Sequence, residues 1–321
     1  MSIHDVGTWS TISTSERQRV RGRMERVLAL TQPPFNIDKN QLCKTTKVIL
    51  SDNEIGDADL STLADSCANG ALAQVTTLDL RNNQFGDAGL TALADACAKG
   101  ALTQVTEIYL GYNKIGDAGI AALADACANG ALAQVTTIGL GYNKIGDAGL
   151  TALASACANG ALAQVTSINL SMNDAIGDVG LTALADVCAK GALAKVTYFL
   201  LGSNQIGDDG ITALADACDK GALAQVTELD LCDNQVDDAG LTALADACAK
   251  GALAQVTTLD LSWNSIGDDG LSALADACAK GALASLEELV MDDGPLGVDH
   301  PKLKAACEKQ GISLDRRHRF H

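Results

Sequence analysis

Polar and apolar positions along this chain repeat with a fixed beat. Residues 75–104 read VTTLDLRNNQFGDAGLTALADACAKGALTQ, and versions of this unit begin at Thr45, Val75, Val105, Val135, Val165, Val196, Val226 and Val256, with a worn ninth copy at Leu286. The period is 30 residues, broken only by one extra residue in the fifth copy, where MNDAIGD stands in place of YNKIGD. Each unit has two halves. In TTLDLRN, Leu78 and Leu80 alternate with polar residues, which predicts a short strand with one buried face. In DAGLTALADACAKG, Leu90, Leu93, Ala94 and Cys97 fall at i, i+3, i+4 and i+7, which predicts an amphipathic helix. Asp87 stands at the expected N-cap and Gly100 at the expected left-handed stop. On the outer face Asp95 precedes Lys99 by four residues, the favourable order for a helical ion pair. The same spacing recurs at Asp186 and Lys190, Asp216 and Lys220, Asp246 and Lys250, and Asp276 and Lys280.

A fixed period of this size predicts a solenoid, in which no unit buries its apolar face without its neighbours. Parallel strands stack about 4.8 Å apart, whereas helices need about 8–10 Å. The mismatch curves the stack with the sheet inside. The expected fold class is therefore α/β, a horseshoe with a parallel sheet on the concave face and helices on the convex face. Three segments are expected: residues 1–44, with a basic amphipathic capping helix in 15–31; residues 45–285, eight repeats; and residues 286–321, the degenerate ninth repeat, a C-terminal cap in which GISL forms a last strand, and a basic tail.

The unit L-x-x-L-x-L-x-x-N-x-I-G-D-x-G-x-x-x-L-A, with Val usual at the first position, resembles the leucine-rich repeat of the long, ribonuclease-inhibitor-like type. Ran GTPase-activating proteins and NOD-like receptors carry repeats of this type. The resemblance implies that Asn53, Asn83, Asn113, Asn143, Asn173, Asn204, Asn234 and Asn264 form an internal ladder bonded to the backbone of adjacent turns. Asn suits the role, having both donor and acceptor and tolerating tight turns. The ninth copy has Gly294 at the Asn place.

Composition narrows the function. Hydrophobic residues make up 47% but aromatics only 3%, which suits thin, similar layers. Net charge is −17, and its placement is uneven. Residues 1–44 hold seven Lys/Arg against four Asp/Glu, residues 300–321 hold six against two, and the body between holds ten against 34. An acidic body repels nucleic acid and is compatible with a basic protein partner. No secretory signal or span of about 18 apolar residues is legible. With eleven Cys besides, a reduced, cytoplasmic compartment and no membrane association are expected. Nine of these Cys recur at one helical position, from Cys67 to Cys307, and read as small core fillers. Neighbouring helices stand too far apart for disulfides between them, and no C-x-x-C supplies a zinc pair. Cys43 and Cys232 lie off that position, and Cys232 is expected to face solvent.

Other motifs dissolve on inspection. Gly111 and Gly116 in GYNKIGDAG mimic a phosphate loop, but Asp117 stands where Lys is required. All four His lie in the terminal segments, so no His-based triad or zinc site fits the inner face. No catalytic residue, metal, cofactor or small-molecule substrate is expected.

What varies between copies points to a binding face. The four Tyr of the chain (Tyr109, Tyr112, Tyr142, Tyr198) all fall in the columns expected to face the concave side, with Trp263, Met172 and Leu200. Gly111, Gly139, Gly141 and Gly202 beside them are expected to admit a partner to the backbone. Acids flank this patch, with Asp79 and Glu107 towards one end and Glu228, Asp230, Asp233 and Asp260 towards the other. Arg81 is the one Arg of the repeats. Rigid aromatic area is what protein interfaces use. The expected function is a non-catalytic scaffold that binds a protein or peptide, of basic character, on its concave sheet. The alternative, implied by the resemblance, is GTPase activation of the Ran type.

Overall fold

The computed structural model describes residues 46–292 and 296–317. The expected N-terminal helix, Cys43 and Gly294 lie outside them. Strand and helix alternate. In chain order they are β1 (Lys47–Ile49), α1 (Asp57–Ala68), β2 (Thr77–Asp79), α2 (Asp87–Ala98), β3 (Glu107–Tyr109), α3 (Asp117–Ala128), β4 (Thr137–Gly139), β5 (Asn143–Gly146) and α4 (Asp147–Ala158). The second half runs β6 (Ser167–Asn169), β7 (Asn173–Ala175), α5 (Asp178–Cys188), β8 (Tyr198–Leu200), α6 (Asp208–Asp219), β9 (Glu228–Asp230), α7 (Asp238–Ala249), β10 (Thr258–Asp260), α8 (Asp268–Ala279), β11 (Glu288–Asp292), α9 (Pro301–Gln310) and β12 (Ser313–Arg317). Ten strands form one parallel sheet in sequence order, with β12 from GISL pairing on the end. β7, which lies in the fifth copy with its extra residue, pairs with β5 in a second, two-stranded sheet.

The core is a stack of thin layers. In each unit the middle strand residue, such as Leu78, Ile108 or Phe199, is buried against helix residues such as Leu90, Leu93, Ala94 and Cys97. The ladder Cys are buried at 0–4% exposure and none is in a disulfide. Glycine ends the helices: Gly100 has φ +93° and its N–H is bonded to the Cys97 carbonyl.

Two local expectations are corrected. The N-cap of α2 is Gly86, and Asp87 is the first helical residue. Its carboxylate serves the next repeat instead. Asp87 Oδ1 accepts the N–H groups of Gly116 (2.7 Å) and Gly119 (3.0 Å), which open α3. Asp117 does the same for Gly146 (2.7 Å) and Gly149 (2.9 Å), and equivalent Asp residues repeat the contact along the stack. At the end Asp268 meets His300, the N-cap of α9: Nε2 lies 3.0 Å from Asp268 Oδ1 while Nδ1 accepts the Leu303 N–H. The cap is thus supplied between repeats, because the first-turn N–H groups of one helix face the first-turn carboxylate of its neighbour. A Cβ on Gly149 would lie 2.7 Å from Asp117 Oδ1, so the small residue is part of the device. Replacing Asp117 by Ala strands two N–H groups and is expected to cost about 2–4 kcal/mol. Asn, which keeps an acceptor oxygen, should recover most of it in urea unfolding; equal losses for both would count against the cap.

Second, no intrahelical Asp–Lys pair closes among the described residues. Lys99 is the C-cap residue of α2, already off the helical path. Lys250, the C-cap of α7, reaches Asp219 of the preceding repeat at 2.9 Å instead of Asp246. Both groups are well exposed, so the pair adds little.

Candidate functional site

The Asn ladder forms as the repeat resemblance implies. Asn173, fully buried, donates from Nδ2 to the carbonyls of Leu140 (3.2 Å) and Leu170 (2.9 Å), and its Oδ1 accepts the Ile145 N–H (3.1 Å). Asn53 bonds within its own turn, whereas from Asn83 to Asn264 each ladder Asn ties its own turn to the one before, fixing the residue ahead of it. Those residues, among them Tyr112, Tyr142, Met172, Asp233 and Trp263, all lie at φ +51 to +59°. This corrects the reading of that column as strand. The strands end three residues earlier, and alternation ceases there. Left-handed backbone disfavours side chains of this kind, but the same conformation recurs at Asp52 and Asn82. It belongs to the fold.

Beyond the strands, backbone hydrogen bonds continue the stacking. Tyr112 N–H donates to Gly141 and Tyr142 N–H to Ser171, each at 2.9 Å. Successive turns therefore hold the two Tyr rings face to face, with centroids 3.7 Å apart and planes at 15°. Burial and the neighbouring Tyr142 hydroxyl push the Tyr112 phenol up to about 12. Both rings remain exposed, at 49% and 41%. They line an open groove of about 500 Å³ with Asn82, Asn113, Asn143, Met172, Asp174, Ser203 and Asp233. The sequence reading missed Asp174 and Ser203. The extra residue in the fifth copy was the signal for Asp174.

A second cluster lies at the early end. Arg81 Nη2 meets Asp79 Oδ2 at 2.7 Å and Nε meets Oδ1 at 3.0 Å, while the guanidinium sits 5.0 Å over the Tyr109 ring. The hydrogen bond to Asp79 raises the Arg81 pKa. Burial, then the Glu107 charge, raises that of Tyr109. A Cβ on Gly139 would lie 3.2 Å from the Tyr109 ring.

Several expected site residues are corrected. Asp79 and Asp260 are buried, at 4% and 5%, rather than exposed flanks of the patch. Each bends back to its own turn: Asp79 Oδ1 accepts the Arg81 N–H (3.1 Å), and Asp260 Oδ1 accepts the Ser262 N–H (3.0 Å) and hydroxyl (2.6 Å). Asp230 makes the same turn contact with Cys232 N–H (3.0 Å) but stays half-buried. The glycines do not leave open room either. A Cβ on Gly111 would lie 2.9 Å from the Gly141 carbonyl, and on Gly202 2.8 Å from both Asp230 Oδ2 and Cys232 Sγ. Their space is already taken by the next repeat. Cys232 is half-buried, and its Sγ and one oxygen each of Asp230 and Asp260 lie within 4.8 Å of one another.

Glu107 and Glu228 are half-buried on the sheet. Thr77 Oγ1 donates to Glu107 (3.1 Å), and burial followed by the Asp230 charge raises the Glu228 pKa. Tyr198 is exposed, beside Glu228 in the sheet register, and Leu200 pairs with Asp230; neither lines the groove. Trp263 is partly buried, with its backbone N–H held by Asp292 (2.9 Å). The site thus divides into a tyrosine groove and an Arg81–Tyr109 cluster, with Trp263 apart from both.

The leucine rich repeat family profile matches residues 46–64, 74–94, 102–124, 135–154, 164–185, 193–215, 225–245 and 255–275, more than half of the chain. The chain belongs to the leucine-rich repeat family, whose fold is generally a non-enzymatic protein-interaction scaffold. No curated protein matches it. Among solved structures, an internalin from Listeria monocytogenes is similar at 18% identity and a TM-score of 0.38, over 88% of this chain and 98% of that one. The Arabidopsis receptor kinase HAESA, in complex with the peptide hormone IDA and the co-receptor SERK1, is similar at 12% identity and a TM-score of 0.43, over 95% of this chain and 53% of that one. The family assignment stands on the repeats themselves. Among the described residues, no helix is long and apolar enough to cross a membrane.

Proposed function

We propose that this chain is a non-catalytic scaffold that binds a basic protein or peptide on the concave side of its repeats. The observation that carries this reading is the stacked, half-exposed Tyr112–Tyr142 pair in its groove. Stacking immobilises the rings before binding, so little side-chain entropy is lost when a partner covers them. Asp174 and Asp233 on the groove wall, within a strongly acidic body, favour a cationic partner.

The finer assignments are ours as well. Helices of 10–12 residues in a 30-residue period favour the ribonuclease-inhibitor-like type. The reduced cytoplasmic location rests on the reading of the Cys pattern. GTPase activation gains nothing from Arg81, whose guanidinium is engaged by Asp79 and the Tyr109 ring.

The test is affinity capture from lysate with the full chain and with Tyr112, Tyr142 and Tyr198 all replaced by Ala. A specific set of proteins should be held by the wild type and lost from the variant at unchanged melting temperature. An identical captured set from a folded variant sinks the proposal.

A further inference from the structure

Within that binding reading, we infer that the tyrosine groove is an arginine-recognition site, which takes the guanidinium of an extended partner segment against the Tyr112–Tyr142 stack, with the carboxylates of Asp174 and Asp233 further along the same groove to hold the segment's cationic charge. The inference rests on the proposed concave binding function and adds the chemistry of the group that is bound.

Three observations carry it. The first is that the protein builds such an arrangement from its own residues one repeat earlier. Arg81 lies 5.0 Å over the Tyr109 ring with both Asp79 oxygens on its nitrogens. An aromatic face beside a carboxylate suits a planar, weakly hydrated cation better than a compact ammonium. The second is that the groove offers the same two components. Tyr112 and Tyr142 are exposed by nearly half, and exposed Asp174 and Asp233 share their groove. The third is that no cation of the described residues fills it. Among the described residues neither Asp174 nor Asp233 is in an ion pair, whereas Asp79, Asp219 and Asp276 are. Lys114 and Lys144, one residue past their ladder Asn, do not line the groove.

The polar floor supports an extended segment as carrier of the guanidinium. Asn82, one repeat before Tyr112, and Ser203, two repeats after Tyr142, add hydrogen-bonding side chains along the lining that main-chain amides of such a segment can use. A groove of about 500 Å³ also exceeds what one side chain needs.

The probes are three fluorescent Gly-Ser decapeptides, identical except that each carries three Arg, three Lys or three Gln. Binding is read by anisotropy with the full chain at low and at physiological salt. The Arg peptide should bind about fivefold or more tighter than the Lys peptide, and the Gln peptide should not bind measurably. The double variant Tyr112→Leu/Tyr142→Leu should erase the Arg-over-Lys preference. Tyr112→Phe/Tyr142→Phe keeps the ring faces and should retain it. Asp174→Asn/Asp233→Asn should weaken both cationic peptides about tenfold. Equal Arg and Lys affinities for the wild type overturn the inference, as does a preference that survives in a folded Leu variant. If lysate partners depend on the Tyr residues while Arg and Lys peptides bind alike, the arginine inference alone falls. If the Arg preference holds but the Ala triple variant keeps every captured protein, the scaffold reading falls and the groove remains a local guanidinium site.

Discussion

Replacing Asn173 by Ala is expected to lower stability by about 2–6 kcal/mol, the largest loss from any single polar side chain described above. Asn173 is fully buried, and its amide holds the Leu140 and Leu170 carbonyls and the Ile145 N–H. Truncation strands the Ile145 N–H, at about 1–3 kcal/mol, and removes one hydrogen bond from each carbonyl, at about 0.5–1.5 kcal/mol apiece, since Leu140 keeps Asn143 and Leu170 keeps Asn204 as donors. Asp cannot replace it, because a carboxylate has no donor for the two carbonyls and brings an unpaired charge inside. The fifth repeat is central, so the loss should also divide the array, since solenoid stability depends on nearest-neighbour coupling. Urea unfolding followed by circular dichroism should change from one transition to two. A single transition shifted by less than about 1 kcal/mol would mean that backbone pairing alone carries the coupling.

Alkaline pH should unfold the protein well before its surface charge accounts for it. Burial pushes the thiols of Cys67, Cys97, Cys157, Cys188, Cys218, Cys248 and Cys307 from 9.0 to about 12, and that of Cys127 to about 11. Below 9 both folded and unfolded thiols keep their proton, and the packing contribution is intact. Between 9 and about 12 the unfolded chain releases protons that the folded chain retains, so stability falls as pH rises. Each ladder Cys contributes a slope of up to about 1.4 kcal/mol per pH unit in that window. If three adjacent repeats unfold together, the step from one pH unit to the next removes about 4 kcal/mol. Melting temperature measured in reductant from pH 8 to 11 should drop steeply above 9. The variant with Ala at Cys127, Cys157 and Cys188 should start lower, through lost volume, but fall less steeply. A wild-type curve flat to pH 10.5 would contradict the burial cost.

The two predictions draw on columns that were legible in different degrees. The Cys column shows as the inner face of an amphipathic helix, since i, i+3, i+4, i+7 spacing alone places Cys97 with Leu90, Leu93 and Ala94. The Asn column needed the resemblance to a known repeat, because spacing does not say what a buried amide bonds to. The aromatic column was found, but its geometry was misread. Alternation extended past the last strand residue puts Tyr112 on a strand, where it would stand alone above the sheet. In the structure it sits on a left-handed turn against Tyr142.

The acids were the hardest to read. Asp79, Asp230, Asp233 and Asp260 look alike in sequence, yet Asp79 and Asp260 are buried turn acceptors while Asp233 lines the groove. Composition cannot separate them, since a carboxylate bonding the N–H two residues on resembles one waiting for a partner. Asp117 posed the same problem one level up. Its place at a helix start was visible, but its bonds go to the helix of the next repeat.

By itself the sequence determined the strand-and-helix unit, its 30-residue repetition, the parallel sheet with helices outside it, and the side chains that fill the core. These follow from local periodicity, which any one unit carries in full. Only the tertiary structure decided which copy's cap serves which helix, which acids are sealed into turns, and that two Tyr 30 residues apart form one stacked surface. Those outcomes depend on register between neighbouring repeats, which the hydrogen bonds between turns set and no single repeat encodes.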